Sequence, residues 1–210
     1  MQGLEHLSLK HCEIGVPSMF NGFSLLKSLI LSEVYITATM LQRILTSCPL
    51  LEQFTLTGYE FVDFTEGNTC TFVELFKCLP SVQVVNISWF HDADFYAGVR
   101  SQKLPTSLAY LRILVLQMVY CNEQTFTTLL DPEDYSGLNL DHLKELEITN
   151  FRNHALEMEF LKLIMAKSPV LKIARIELSA SVSVDAEVMM LLRFVKLAIS
   201  TCITSSQAHY

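Results

Sequence analysis

Histidine and two carboxylates stand within four residues at His91-Asp92-Ala93-Asp94, the densest group of chemically competent side chains in the sequence. Such a set can ligate a divalent metal. It can also be a polar loop capping a helix that follows Phe95, and it is read as that loop. His6, His11 and Cys12 suggest zinc by type, but alternation puts His6 and Cys12 on opposite faces of one short extended segment. No second ligand pair stands at finger spacing. His142 and His154 read as solvated turn residues. There is no glycine-rich phosphate loop, no Gly-x-Ser-x-Gly elbow and no HExxH helix. Seven glycines leave little material for a nucleotide cradle. The expectation is a protein that is not an enzyme and takes no metal or cofactor.

The elements that carry these side chains are governed by an apolar excess. Half of the 210 residues are hydrophobic, 33 are leucine and 18% are charged. That content is incompatible with disorder. Mean hydropathy is +0.34, yet the most apolar stretch, Ile113 to Cys121, is short and interrupted by Gln117, so it cannot span a bilayer. A formal charge of −7 argues against nucleic acid or an anionic membrane as partner. Residues 1–15 contain Glu5, Lys10 and Glu13 and offer no secretory core. The six cysteines, Cys12, Cys48, Cys70, Cys78, Cys121 and Cys202, form no CxxC pair and read as reduced, mostly buried small hydrophobes. The sequon Asn86-Ile87-Ser88 is read as coincidental. Together these features point to a cytoplasmic or nuclear location.

The apolar residues recur with a period. Apolar-x-x-apolar-x-apolar appears as Leu4-x-x-Leu7-x-Leu9, Leu26-x-x-Leu29-x-Leu31, Leu51-x-x-Phe54-x-Leu56 and Val82-x-x-Val85-x-Ile87. It continues as Leu111-x-x-Leu114-x-Leu116, Leu143-x-x-Leu146-x-Ile148 and a weaker Leu171-x-x-Ala174-x-Ile176. Successive copies start 22, 25, 31, 29, 32 and 28 residues apart. Leucine-rich repeats run at about 20–29 residues, a range the intervals overlap and exceed at 31 and 32. Alternation within each copy predicts a short strand with one face inward.

Between the strands the spacing turns helical. Leu41, Ile44, Leu45 and Cys48 line one face after Thr37 as N-cap. Thr71-x-x-Glu74 is a capping box opening a helix that ends near Leu79. Leu156, Phe160, Leu163 and Ile164 form a third apolar face, with Glu157, Glu159, Lys162 and Lys167 assigned to solvent. Pro49, Pro80 and Pro169 stop the helical runs. The unit is helix, proline stop, strand and turn, and no unit can bury its own apolar face alone. The fold class expected is α/β: a leucine-rich-repeat solenoid with a parallel sheet on one side and helices on the other, ending in a further α/β unit. The position three after the last strand residue, where many such repeats keep asparagine, holds Cys12, Val34, Tyr59, Phe90, Val119 and Phe151. An asparagine ladder is therefore not expected.

Ser47-Cys48-Pro49-Leu50-Leu51-Glu52 with Phe54-x-Leu56 resembles the repeat junction of plant F-box proteins with leucine-rich repeats. Leu143-Lys144-Glu145-Leu146-Glu147-Ile148 through Phe151-Arg152, then Leu156 to Lys167 and Ser168-Pro169-Val170-Leu171-Lys172, resembles the FBD domain of those proteins over about 138–178. Leu191-Leu192-Arg193-Phe194 is similar to the family's C-terminal part, although Val195-Lys196-Leu197 departs from its Phe-Pro-Arg-Ala-Ser-like run. The resulting division is a repeat region 1–135, an FBD-like region 136–199 and a tail 200–210. The family usually carries an F-box ahead of its repeats, whereas this chain opens inside a repeat at Leu4. The ubiquitin-ligase adaptor is thus expected as a partner only if an F-box lies upstream.

The resemblance implies a non-catalytic protein-interaction module, similar to the substrate-recognition part of a cullin-based (SCF) ubiquitin ligase. A small-molecule-binding solenoid and a truncated product without independent function stand as alternatives. Repeat phase names the outward strand side. It runs from His6, Ser8 and Lys10 through Ser28, Ile30 and Ser32 to Gln53, Thr55 and Thr57. Val84, Asn86 and Ser88 follow, then Ile113, Val115 and Gln117, and last Glu145, Glu147 and Thr149. Of these, Ile30, Thr55, Val84, Asn86, Ile113, Val115, Gln117, Glu145 and Glu147 are the candidate binding residues. Lys10 is the single basic residue placed in this lane. Exposed apolar groups beside polar ones suit a protein partner, and equally satisfy strand propensity or a covering loop.

Overall fold

Each of the seven motifs is a strand in the computed structural model. It describes residues 3–15, 22–58, 62–63, 75–76, 78–89, 108–118, 139–152 and 155–180. The strands are β1 His6–Lys10, β2 Ser28–Ser32, β4 Gln53–Thr57, β6 Val84–Trp89, β7 Ile113–Met118, β8 Glu145–Phe151 and β9 Ile173–Leu178. All pair in parallel, in the order β1-β2-β4-β6-β7-β8-β9, so the sheet grows in chain order. The fold is α/β, with a mostly parallel sheet and few helices among the described residues.

Register makes the repeat phase physical. One inward ladder runs Leu7, Leu29, Phe54, Val85, Leu114, Leu146, Ala174. A second runs Leu9, Leu31, Leu56, Ile87, Leu116, Ile148, Ile176. From β2 to β9 these residues are buried in one apolar core, while Leu7 and Leu9 on the edge strand are partly buried. Slipping any strand by one residue would turn its whole ladder toward solvent, so the apolar alternation locks the pairing. Even the weak last copy, with alanine at its centre, keeps the ladder and forms β9.

Every strand from β2 onward, within the main sheet, is entered through the same turn. Leu26 N–H donates to the Phe23 carbonyl, Leu51 to Cys48, Val82 to Leu79, Leu111 to Leu108, Leu143 to Leu140 and Leu171 to Ser168, at 3.0 to 3.4 Å. Pro49, Pro80 and Pro169 occupy the second turn position, where their fixed φ is already suited. Ala109 and Asp141 fill the same place without proline.

Four of the seven repeats share a backbone device that the motif pattern does not announce. Two residues after the second ladder position the backbone turns to positive φ, at His11 (50°), Glu33 (52°), Gly58 (127°) and Asn150 (59°). Asn150 Nδ2 donates to the Met118 carbonyl at 2.6 Å. Asn150 sits within β8 at the register shift against β9, one residue before the position of an asparagine ladder. Gly58 is required twice over, because a Cβ there would lie 2.7 Å from both Cα and N of Glu33. Gly58→Ala is expected to cost about 1–2 kcal/mol, from left-handed strain and backbone crowding. Urea denaturation, with an unchanged m-value, checks this.

Helix α1, Ala38–Thr46, begins where Thr37 Oγ1 accepts the Met40 N–H at 3.2 Å. It buries Leu41, Ile44, Leu45 and the following Cys48 in the common core. A short parallel pair, β3 Ile36–Thr37 with β5 Val62–Asp63, stands apart from the main sheet and was not expected.

Helix α2, Ala155–Ala166, corrects one assignment. Glu157 is 2% exposed, and its carboxylate accepts the Arg152 N–H at 2.8 Å. The inward stripe is Glu157, Met158, Phe160, Leu161 and Ile164, with Leu163 only partly buried. Glu157 stands four and seven residues before Leu161 and Ile164, and so shares their face. One of its oxygens is held inside by the Arg152 amide, in the connection that leads into the helix. The expected capping box at Thr71, the group at 91–94 and the segment around Leu191 lie outside the described residues, as do His154, Cys70, Cys121 and Cys202.

Candidate partner-binding face

Parallel register turns the outward residues into straight rows. The first is His6, Ser28, Gln53, Val84, Ile113, Glu145, Ile173, and the second is Ser8, Ile30, Thr55, Asn86, Val115, Glu147, Arg175. Eight of the nine candidate residues fall in these two rows. Gln117 falls in the next row, opposite Ser88 and Thr149. Neighbours are one strand spacing apart, about 4.8 Å, so Val84, Ile113 and Val115 form a contiguous apolar patch with Asn86 beside it.

Burial grades the rows. Ile30 is 37% exposed, and Thr55, Val84, Asn86, Ile113, Val115, Glu145 and Glu147 are half-buried. Gln117 is exposed. Ser28 does not face solvent: it is 7% exposed. Its neighbours across the sheet, His6 and Gln53, are larger and flank it on both sides. Polar members are tied across the strands, with Thr57 Oγ1 donating to Ser32 Oγ at 3.0 Å and Ser88 Oγ to Gln117 Oε1 at 2.6 Å.

The acidic end of the lane has a basic member that was not expected there. Arg175 on β9 places Nη1 3.7 Å from a Glu145 oxygen and 3.5 Å from a Glu147 oxygen. Lys10 is therefore not the single basic residue of the lane. Extending the phase one copy, through Leu171-x-x-Ala174-x-Ile176, would have found Arg175. At the opposite end, His11 Nδ1 lies 2.8 Å from Glu33 Oε2, joining two successive positive-φ residues.

Among the described residues, no three of histidine, cysteine, aspartate and glutamate come together in a group that could hold a metal. His6 and His142 are exposed. Burial pushes the Cys48 thiol above its ordinary value, partly offset by a hydrogen bond to the Phe23 backbone, which keeps it protonated and unreactive near neutrality. No described helix is long and apolar enough to cross a membrane.

The strand-helix-strand unit β8-α2-β9 is the part of the chain with a recognisable relative. Residues 138–176 match the FBD domain family. A protein of Arabidopsis thaliana described as an F-box/FBD/LRR-repeat protein is 39% identical over 54 residues. The match covers 26% of this chain and 13% of that relative's length. Both findings support a likeness to the plant F-box/FBD/LRR-repeat family.

Proposed function

We propose that the chain is a non-catalytic protein-binding module, the target-recognition part of an F-box-type protein. Its units stack as a leucine-rich-repeat solenoid over 1–135 and continue through the FBD region, 136–199. The outward rows of the parallel sheet select a protein target, and in a longer protein an F-box ahead of residue 1 would connect that target to a cullin-based ubiquitin ligase. The proposed setting is cytoplasmic or nuclear. No nucleic acid, membrane, metal or cofactor enters the proposed role.

One observation carries this reading. Seven parallel strands in unbroken chain order hold two registered rows of half-exposed side chains, apolar at Val84, Ile113 and Val115 and polar around them. Apolar anchors inside a polar rim are what protein interfaces use. The family's F-box proteins supply the ubiquitin-ligase setting.

Ile113→Asp and Val115→Asp each insert a charge where a partner would desolvate it. Each is expected to reduce partner recovery by about tenfold or more. The half-exposed positions should leave folding within about 1 kcal/mol of wild type. Quantitative affinity purification from plant extract, with Lys162→Asp on α2 as control, tests this. Equal partner recovery by all three variants would contradict it.

A further inference from the structure

The strand starts carry a row of side chains that the outward rows leave unused. Lys27 N–H donates to the Glu5 carbonyl, Glu52 to Lys27, Gln83 to Glu52, Arg112 to Gln83, Lys144 to Arg112 and Lys172 to Lys144, all at 2.7 to 2.9 Å. These residues therefore stand in line, about 4.8 Å apart.

The first half of the row, Glu5, Lys27, Glu52 and Gln83, holds one cation, and that cation is paired. Lys27 Nζ donates to Glu5 Oε2 at 2.9 Å, which holds the Glu5 carboxyl below and the Lys27 ammonium above their ordinary ranges. The second half differs. Arg112, Lys144 and Lys172 are all exposed, and no described carboxylate forms an ion pair with them. The acids around them are engaged elsewhere: Glu145 and Glu147 with Arg175, and Asp141 with Asn139 Nδ2 at 2.5 Å. Beside the three cations, the third residues of the entering turns stand out into solvent. Tyr110 is 61% and Val170 42% exposed, with His142 between them also exposed. A cationic strip with apolar neighbours thus lies on a chain of net charge −7.

We infer that this edge of β7–β9 docks an extended acidic segment of a partner protein. Carboxylates lie along Arg112, Lys144 and Lys172, and an apolar side chain rests against Tyr110 and Val170. The end cations are two strand spacings apart, about 10 Å. Same-side residues of an extended peptide recur about every 7 Å, a difference that the long basic side chains absorb. This inference rests on the protein-binding reading and adds a partner chemistry, at a rim adjoining the outward rows.

The test uses the full chain and a fluorescein-labelled peptide of alternating glutamate and leucine, read by fluorescence anisotropy. Binding is expected to weaken as salt rises. Combined Arg112→Glu, Lys144→Glu and Lys172→Glu should weaken it on the order of tenfold or more, and the glutamine triple variant by a smaller factor. Lys10→Glu with Lys27→Glu should change it by less than about twofold. Thermal melts of the glutamine variant separate lost binding from lost fold. Binding by both triple variants as tight as by the wild type would overturn the inference, as would equally tight wild-type binding of a peptide of alternating lysine and leucine. Tighter, rim-dependent binding of single-stranded RNA or phosphatidylserine vesicles would also overturn it. Val115→Asp should keep the peptide bound, so failure of the sheet-face reading remains distinguishable from failure at the rim.

Discussion

Phe54→Ala is expected to destabilise the protein by about 3–5 kcal/mol, a large fraction of a domain's usual margin. Phe54 is fully buried and sits in register between Leu29 and Val85 on the first inward ladder. Truncation removes the apolar transfer gain and leaves a cavity that two flanking β-strands cannot collapse to fill. Phe54→Leu keeps most of the volume and should cost less than about 2 kcal/mol. The sheet order adds a spatial signature, because each strand pairs only with its neighbours in the sheet. Amide exchange should therefore accelerate in β2, β4 and β6 before β8 and β9. Denaturant melts give the magnitude and exchange gives the location. Uniform loss of protection across all seven strands would argue for one indivisible core.

Glu157→Ala should cost about 1–3 kcal/mol, far above the usual effect of changing a glutamate. The carboxylate is buried and holds the Arg152 amide in the connection from β8 into α2. Removing it takes a charged acceptor from that amide and a favourable negative group from the helix start. Glu157→Gln retains an acceptor oxygen and should recover part of the loss. Thermal unfolding of the two variants measures the difference. Two equal, negligible shifts would show that the contact contributes nothing.

These two residues also mark how far the sequence can be read. The inward ladders were legible because strand side chains alternate with period two, and seven copies reinforce one phase. Phe54 is found by that rule alone. Glu157 is missed because charge was taken as a sign of solvent, whereas the Arg152 amide holds one of its oxygens inside. Arg175 was missed because its copy is centred on Ala174 and so seemed too weak to carry the lane forward. The positive-φ exits at His11, Glu33, Gly58 and Asn150 share no residue type, so only backbone geometry reveals their equivalence. The common turn is marked by proline at Pro49, Pro80 and Pro169, but hidden behind Ala109 and Asp141. The cationic strip was latent in Leu111-Arg112, Leu143-Lys144 and Leu171-Lys172. It became visible once register aligned those pairs.

The outward sheet rows are proposed to form a protein-binding surface. A photoreactive phenylalanine analogue placed singly at Asn86, Val115 or Lys162, irradiated in plant extract and followed by mass spectrometry, tests it most directly. The account predicts discrete protein adducts from Asn86 and Val115, competed by excess unlabelled wild-type chain but not by the Ile113→Asp variant. It predicts none of these adducts from Lys162 on α2. The same competed adducts from Lys162, or none from either sheet position, would contradict the account.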